Sequence, residues 1–133
     1  MADPAAGAAP RPAGGDHAYP ADQTPEAWHA GAFLGDDLIG IASLYREPPP
    51  GSVDPDAWRL RGMAVLPEHQ GRGYGQALVR AGLGHLSRAG GKLLWCNGRV
   101  SALAFYHSLG FAPQGDIFDL PVSGPHYLLV RPV

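Results

Sequence analysis

Six residues, Gln70-Gly71-Arg72-Gly73-Tyr74-Gly75, sit between an apolar stretch, Ala57–Val65, and a segment over residues 74–89 whose Leu78, Val79, Leu83 and Leu86 recur at helical spacing. Glycines at alternate positions let the backbone take torsions closed to other residues and come close to whatever lies against it. With a strand in front and a helix behind, such a turn brings unpaired N–H groups and the positive end of a helix dipole to one spot. That combination suits a phosphate, and Arg72 adds a charge at its mouth. Glycine also serves hairpins and tight packing, so the turn by itself leaves its purpose open. Two familiar phosphate patterns fail on spacing. A dinucleotide fingerprint needs a glycine three positions after Gly73, where Gln76 stands, and the Gly-Lys-Ser/Thr of a nucleotide-triphosphate loop is absent.

The charge pattern points to the same region. Net charge is −2, yet residues 58–99 hold Arg59, Arg61, Arg72, Arg80, Arg88, Lys92 and Arg99 against the single acid Glu68, a local +6 that leaves −8 for the rest. A basic middle in an acidic chain argues against general nucleic-acid binding, which wants a basic domain, and suits a compact anionic ligand. The plainer alternative is a set of solvated basic faces. With 133 residues and 45% apolar composition, the chain is expected to form one domain. No apolar run approaches the ~18 residues of a membrane span, and residues 1–9 lack the pattern of a secretory signal. Cys96 is the only cysteine, so no internal disulfide forms, and a reducing cytoplasm is the expected compartment.

Residues 1–25 contain no Val, Ile, Leu, Phe or Trp and cannot bury enough surface to offset their ordering entropy. They are expected to be mostly disordered, with the folded domain over residues 26–133. Within that domain the pattern predicts a hairpin of strands over residues 28–34 and 38–45 around Gly35-Asp36-Asp37, and a loop from Glu47 to about Asp56. A third strand over Ala57–Val65 and the helix over residues 74–89 follow, closed by Gly90-Gly91. A short buried strand spans residues 92–96. A second helix runs from an N-cap at Ser101 to Leu109, with Gly110 as its stop, and two antiparallel strands over residues 111–118 and 126–131 finish the chain. The order β-β-β-α-β-α-β-β implies an α/β (α+β) fold, a mixed and largely antiparallel sheet flanked by helices.

The turn resembles the acetyl-CoA pyrophosphate loop of the GNAT superfamily of N-acetyltransferases, Gln/Arg-x-x-Gly-x-Gly/Ala, met here by Gln70, Gly73 and Gly75. On one side, Arg61-Gly62-Met63-Ala64-Val65-Leu66-Pro67-Glu68 resembles the family's fourth strand and its exit. On the other, Ala104-Phe105-Tyr106-His107-Ser108-Leu109-Gly110-Phe111 resembles its FYxxLGF signature. The likeness covers roughly residues 28–133. Trp95-Cys96-Asn97 and Gly124-Pro125-His126 resemble a bacterial branch whose acceptors are mostly unassigned. The family usually opens with a strand and two helices that wall the acceptor cleft. Only about 27 residues precede the strand at Trp28, so these elements are expected to be shortened or missing.

This resemblance implies an acetyltransferase that takes acetyl-CoA as co-substrate and a small-molecule or peptide amine as acceptor, by direct attack in a ternary complex. It implies no metal, nucleic-acid or membrane partner. A non-catalytic acyl-CoA-binding module is the other class left open. By the resemblance, the backbone of Met63, Ala64 and Val65 pairs with the pantetheine arm, and an N–H there polarises the thioester carbonyl. The N–H groups of Gln70, Gly71, Arg72, Gly73, Tyr74, Gly75 and Gln76 hold the pyrophosphate, and Asn97 bonds the pantetheine amide or else caps a loop. Tyr106 is the expected acid for the departing thiolate, its alternative being a half-buried helix tyrosine. An amine of pKa about 10.4 must shed a proton first, and His126, Glu47, Asp119 and His107 are candidate bases, His126 foremost for its place at the start of the last strand. No residues have metal-ligand spacing. Cys96 is expected in the core. With one cleft wall short, either a homodimer or residues 18–27 are expected to cover the exposed sheet surface.

Overall fold

The computed structural model describes residues 10–12 and 27–133. Their elements are β1 (Pro10–Pro12), β2 (Ala27–Leu34), β3 (Asp37–Arg46), β4 (Ala57–Val65), α1 (Tyr74–Arg88), β5 (Leu93–Arg99), α2 (Leu103–Ser108), β6 (Ala112–Leu120) and β7 (Gly124–Pro132). They make one sheet in the order β1-β2-β3-β4-β5-β7-β6, antiparallel throughout except for the β4–β5 pair. The fold is therefore the mixed, largely antiparallel α+β architecture read from the sequence.

Local chemistry explains the element ends. Leu34 pairs with Asp37 across a two-residue turn, where Gly35 takes φ 64°. Beyond α1, Gly90 takes φ 81° and the Gly91 N–H reaches back to the Leu86 carbonyl at 2.8 Å, so the helix stops there. Leu78, Val79 and Leu86 of α1 pack with Ala30, Ala42, Leu44, Trp58 and Leu60 of the sheet in one core. Gly82 lets this contact close, because a Cβ there would stand 2.9 Å from Leu44 Cδ1.

Two expectations are corrected. β5 runs on through Asn97 to Arg99, because β7 pairs with it over its whole length. Ser101 is not an N-cap: Val100–Ala102 form a 3-10 turn, and α2 starts at Leu103 with Ala102 at the cap and no side-chain cap bond. Pro10–Pro12, within the stretch expected to be mostly disordered, pairs with β2 at the sheet edge. Residues 1–9 and 13–26, which carry the rest of that expectation and most of the 18–27 segment, lie outside the described residues.

Candidate active site

The two parallel strands share only a short seam. β4 and β5 pair at Ala57–Leu93, Trp58–Leu94 and Arg59–Trp95 and no further, although β4 continues to Val65 and β5 to Arg99. Each keeps its outer neighbour, β4 meeting β3 up to Val65–Gly40 and β5 meeting β7 up to Arg99–His126. The inner edges therefore part, and a wedge opens between them. On β4 the divergence coincides with a bulge: register with β3 slips between Ile41–Ala64 and Ser43–Arg61, and Gly62 takes φ 70°. A bulge of this kind bends the strand and frees its edge from the ladder.

Two cavities occupy the wedge. The larger, about 610 Å³, is lined by Met63, Ala64 and Val65 on the β4 side, by the glycine turn, and by Arg99, Ala102, Phe105 and Tyr106 on the β5–α2 side. The smaller, about 220 Å³, is lined by Arg59, Leu60, Arg61, Gly62, Met63, Cys96, Asn97 and Tyr106. Met63 and Tyr106 border both. Among the described residues no carboxylate lines either one.

The turn is built as a cradle. Gly71 and Gly73 take φ 74° and 89°, and a Cβ on Gly71 would meet nothing within 4 Å. Gln70 is a strut rather than a lining donor: its Nε2 donates to the Val65 carbonyl at 2.9 Å, and its N–H is committed to the Pro67 carbonyl. After Gln70, the next backbone N–H with a backbone acceptor is that of Ala77, bonded to the Gly73 carbonyl at 3.0 Å. The N–H groups of residues 71–76 are thus left over at the N-terminus of the 15-residue α1.

Tyr106 lies on α2 with its ring edge-on to Phe105 and Phe111, at 5.1 and 5.5 Å between centroids. Burial raises its pKa well above the ordinary phenol value, and the neighbouring Cys96 thiol adds to the rise. Burial likewise pushes the Cys96 thiol up to about 12, so this core residue stays a neutral thiol.

The remaining expected residues fall in different places. Met63, Ala64, Val65, Gln70, Gly71, Gly73, Tyr74, Gly75, Gln76 and Tyr106 come together around the larger cavity. Asn97 borders only the smaller one, from within β5 rather than from a loop after it. Arg72 is exposed and lines neither cavity. His126 does not reach the wedge: it is 4% exposed, its Nδ1 lies 2.7 Å from the Gly124 carbonyl, and its ring stacks on Phe118. Glu47, Asp119 and His107 also line neither cavity, and Glu47 is tied to Arg59 at 3.1 Å. Arg99 and His69 around the larger cavity and Arg59 around the smaller lay outside the motifs, while Phe105 and Arg61 stood inside motif segments but were given no role in a site. Arg59 and Arg99 were visible only as part of the basic excess. Among the described residues no helix is long and apolar enough to cross a membrane, and no cluster of His, Cys, Asp and Glu forms a metal site.

Comparison with known proteins agrees with this geometry. Residues 5–111 match the acetyltransferase (GNAT) family. The chain is 32% identical over 113 residues to YitI, an uncharacterised N-acetyltransferase of Bacillus subtilis, covering 85% of this chain and 76% of YitI. It is 33% identical over 95 residues to the N-alpha-acetyltransferase RimI of Mycobacterium tuberculosis, covering 69% of this chain but only 56% of RimI. Among solved structures, Escherichia coli ElaA superposes with a TM-score of 0.73 at 21% identity, over 88% of this chain and 75% of that one. A GNAT family acetyltransferase from Elizabethkingia anophelis, solved with acetyl-CoA bound, superposes with a TM-score of 0.72 at 15% identity, over 96% and 99% of the two chains. At these identities the structural likeness is one of fold.

Proposed function

The chain belongs to the GNAT acetyltransferase family, and from that premise we propose that it moves an acetyl group from acetyl-CoA to a primary amine by direct attack in a ternary complex. The observation that carries this reading is the border shared by the two cavities: Met63 and Tyr106 stand where a long cleft and a small chamber meet.

The residues present fit the co-substrate. The spare N–H groups of residues 71–76, at the positive end of α1, suit a pyrophosphate, with Arg99 on the opposite wall as a counter-charge. The inner edge of β4 at Met63, Ala64 and Val65 has lost its β5 partner and can pair with an extended amide-bearing arm. When bound, acetyl-CoA supplies an activated acyl carbon on a thiol leaving group.

In the transfer, the amine nitrogen bonds the acyl carbon and gives up a proton to solvent water, while the C–S bond breaks with its electron pair on sulfur. Tyr106 holds the proton that sulfur takes. Its raised pKa keeps it protonated at neutral pH, and the same burial raises the proton affinity of a thiolate released beside it. The phenolate then regains a proton from water. A free N–H on the β4 edge draws electron density from the thioester carbonyl. The direct test is thiol release from acetyl-CoA with a panel of amines. Turnover that needs an amine and produces its N-acetyl derivative supports the proposal, and amine-independent hydrolysis alone refutes it.

A further inference from the structure

Among the described residues, the small chamber is lined by cationic and neutral side chains alone. Arg59 and Arg61 alternate along β4 with Trp58 and Leu60, which are buried in the core beneath α1, so both guanidinium groups belong to the other face. Arg59 is braced there. It bonds the Glu47 carboxylate at 3.1 Å and lies 4.8 Å from the Trp95 ring centroid, while the Trp95 Nε1 donates to the Glu47 carbonyl at 2.7 Å. Arg61 lines the same chamber and has no carboxylate within ion-pair distance among the described residues. The other polar side chains bordering the chamber, Asn97 and Tyr106, are neutral.

A chamber so lined repels a second positive charge. A diamine or a lysine side chain would enter against the field, and among the described residues no carboxylate lines the chamber to receive its ammonium groups. An anion beside the amine reverses the balance, because a guanidinium holds a carboxylate through two parallel hydrogen bonds. It also withdraws the carboxylate's own hold on the ammonium proton, which frees the neutral amine that attack requires. This has weight here because none of the candidate bases lines the chamber.

We infer that the acceptor is a small α-amino acid, its carboxylate read by Arg61 from the opening of the chamber and its amine directed past the Gly62 bulge to the Met63–Tyr106 border. Arg59, paired with Glu47 and stacked by Trp95, holds the chamber wall and leaves Arg61, among the described residues, as the unpaired cation there. The inference rests on the transfer reading above, and it narrows the acceptor to one chemical class.

The test compares the twenty α-amino acids with their carboxamides and with putrescine, by thiol release at saturating acetyl-CoA. In parallel, calorimetry measures binding of the same compounds to CoA-saturated protein. The best amino acid should exceed its own amide and putrescine by about tenfold or more in kcat/KM, the scale of a charged hydrogen bond. Arg61→Gln should raise KM for that amino acid by a similar factor and collapse the acid-over-amide ratio, its thermal shift with acetyl-CoA showing that it is folded. An amide or diamine used as well as the acid, or a ratio untouched by R61Q, overturns the inference and leaves the transfer reading standing. If nothing is turned over, binding decides. An acid bound in preference to its amide through Arg61 upholds this site while the transfer reading falls, and no binding of either compound overturns both.

Discussion

At the scale of the residue, the proposed chemistry concentrates on Tyr106. Its position was readable from the Phe105-Tyr106-x-x-Leu109-Gly110-Phe111 pattern, but its neighbours were not: Cys96 comes from a strand ten residues earlier and shapes its proton affinity. Tyr106→Phe keeps the ring against Phe105 and Phe111 and removes only the hydroxyl. We expect acetyl-CoA affinity to change little and kcat to fall by about 10²–10⁴, the usual worth of a positioned acid. The sign of the pH dependence follows from the direction of the shift. A phenol whose pKa is raised stays protonated above its ordinary value of 10.0, so no alkaline loss of rate below that pH belongs to Tyr106. A rise in rate between pH 7 and 9 should persist in the variant, because it reports the amine. A Tyr106→Phe enzyme with full kcat would show the hydroxyl to be idle. His126 illustrates the opposite case. A histidine at the start of the last strand looked well placed for a base, and the sheet buries it between β5 and β6, where its ring nitrogen is taken by a backbone carbonyl.

Among elements, the contact of α2 with β5 decides where that hydroxyl stands. Gly98 makes the contact possible. A Cβ there would lie 3.1 Å from Tyr106 Cε2 and would overlap Leu129 Cδ1 outright. Gly98→Ala should therefore push the Tyr106 ring out of place and destabilise the fold by about 1–3 kcal/mol, the usual cost of overpacking. Steady-state kinetics should show kcat falling at least tenfold with the acetyl-CoA KM nearly constant, since the glycine turn lies on a different element. Equal losses in both would locate the damage in the whole cleft instead. The sequence marked Gly90 and Gly110 as helix stops and did not mark Gly98, because a strand glycine is explained only by what packs across it. The start of α2 was misread for a related reason. Ser101 has the chemistry of a cap, but the chain leaving β5 tightens into a 3-10 turn before the helix begins.

For the whole molecule, the wedge divides the sheet into two halves joined by three residue pairs of β4 and β5. A ligand lying along both inner edges ties those halves together and stabilises only the folded state. At about 100 times its Kd, acetyl-CoA should add about 2.7 kcal/mol, which for a domain of this size raises Tm by several degrees. The 3′-dephospho form should do nearly as well, and a pantetheine fragment without pyrophosphate should do much less. Gly73→Val places a branched side chain at φ 89°, where the turn faces its ligand, and should abolish the shift while circular dichroism shows the fold retained. A folded Gly73→Val protein with an unaltered shift would remove the glycine turn from the binding site. The folded unit that responds is proposed to begin near residue 26. Exposed Leu34, Leu38 and Ile41 on the β2–β3 hairpin offer it a surface for a second copy, for which light scattering is the check.

What the sequence determined by itself was local or periodic. Glycine spacing, a helical repeat and alternating strands are properties of neighbouring residues, and they sufficed for the element order and for a glycine turn between strand and helix, while Tyr106 was marked by the resemblance of its segment to a family signature. What only the tertiary structure decided was every relation across elements: the early parting of β4 from β5, the commitment of Gln70 to bracing the turn, the burial of His126, and the meeting of Arg59, Arg61, Asn97 and Tyr106 around one chamber. These depend on register and on which face a side chain takes. A single bulge at Gly62 resets both for the residues beyond it, and nothing in the adjacent sequence records where its partner strand will part.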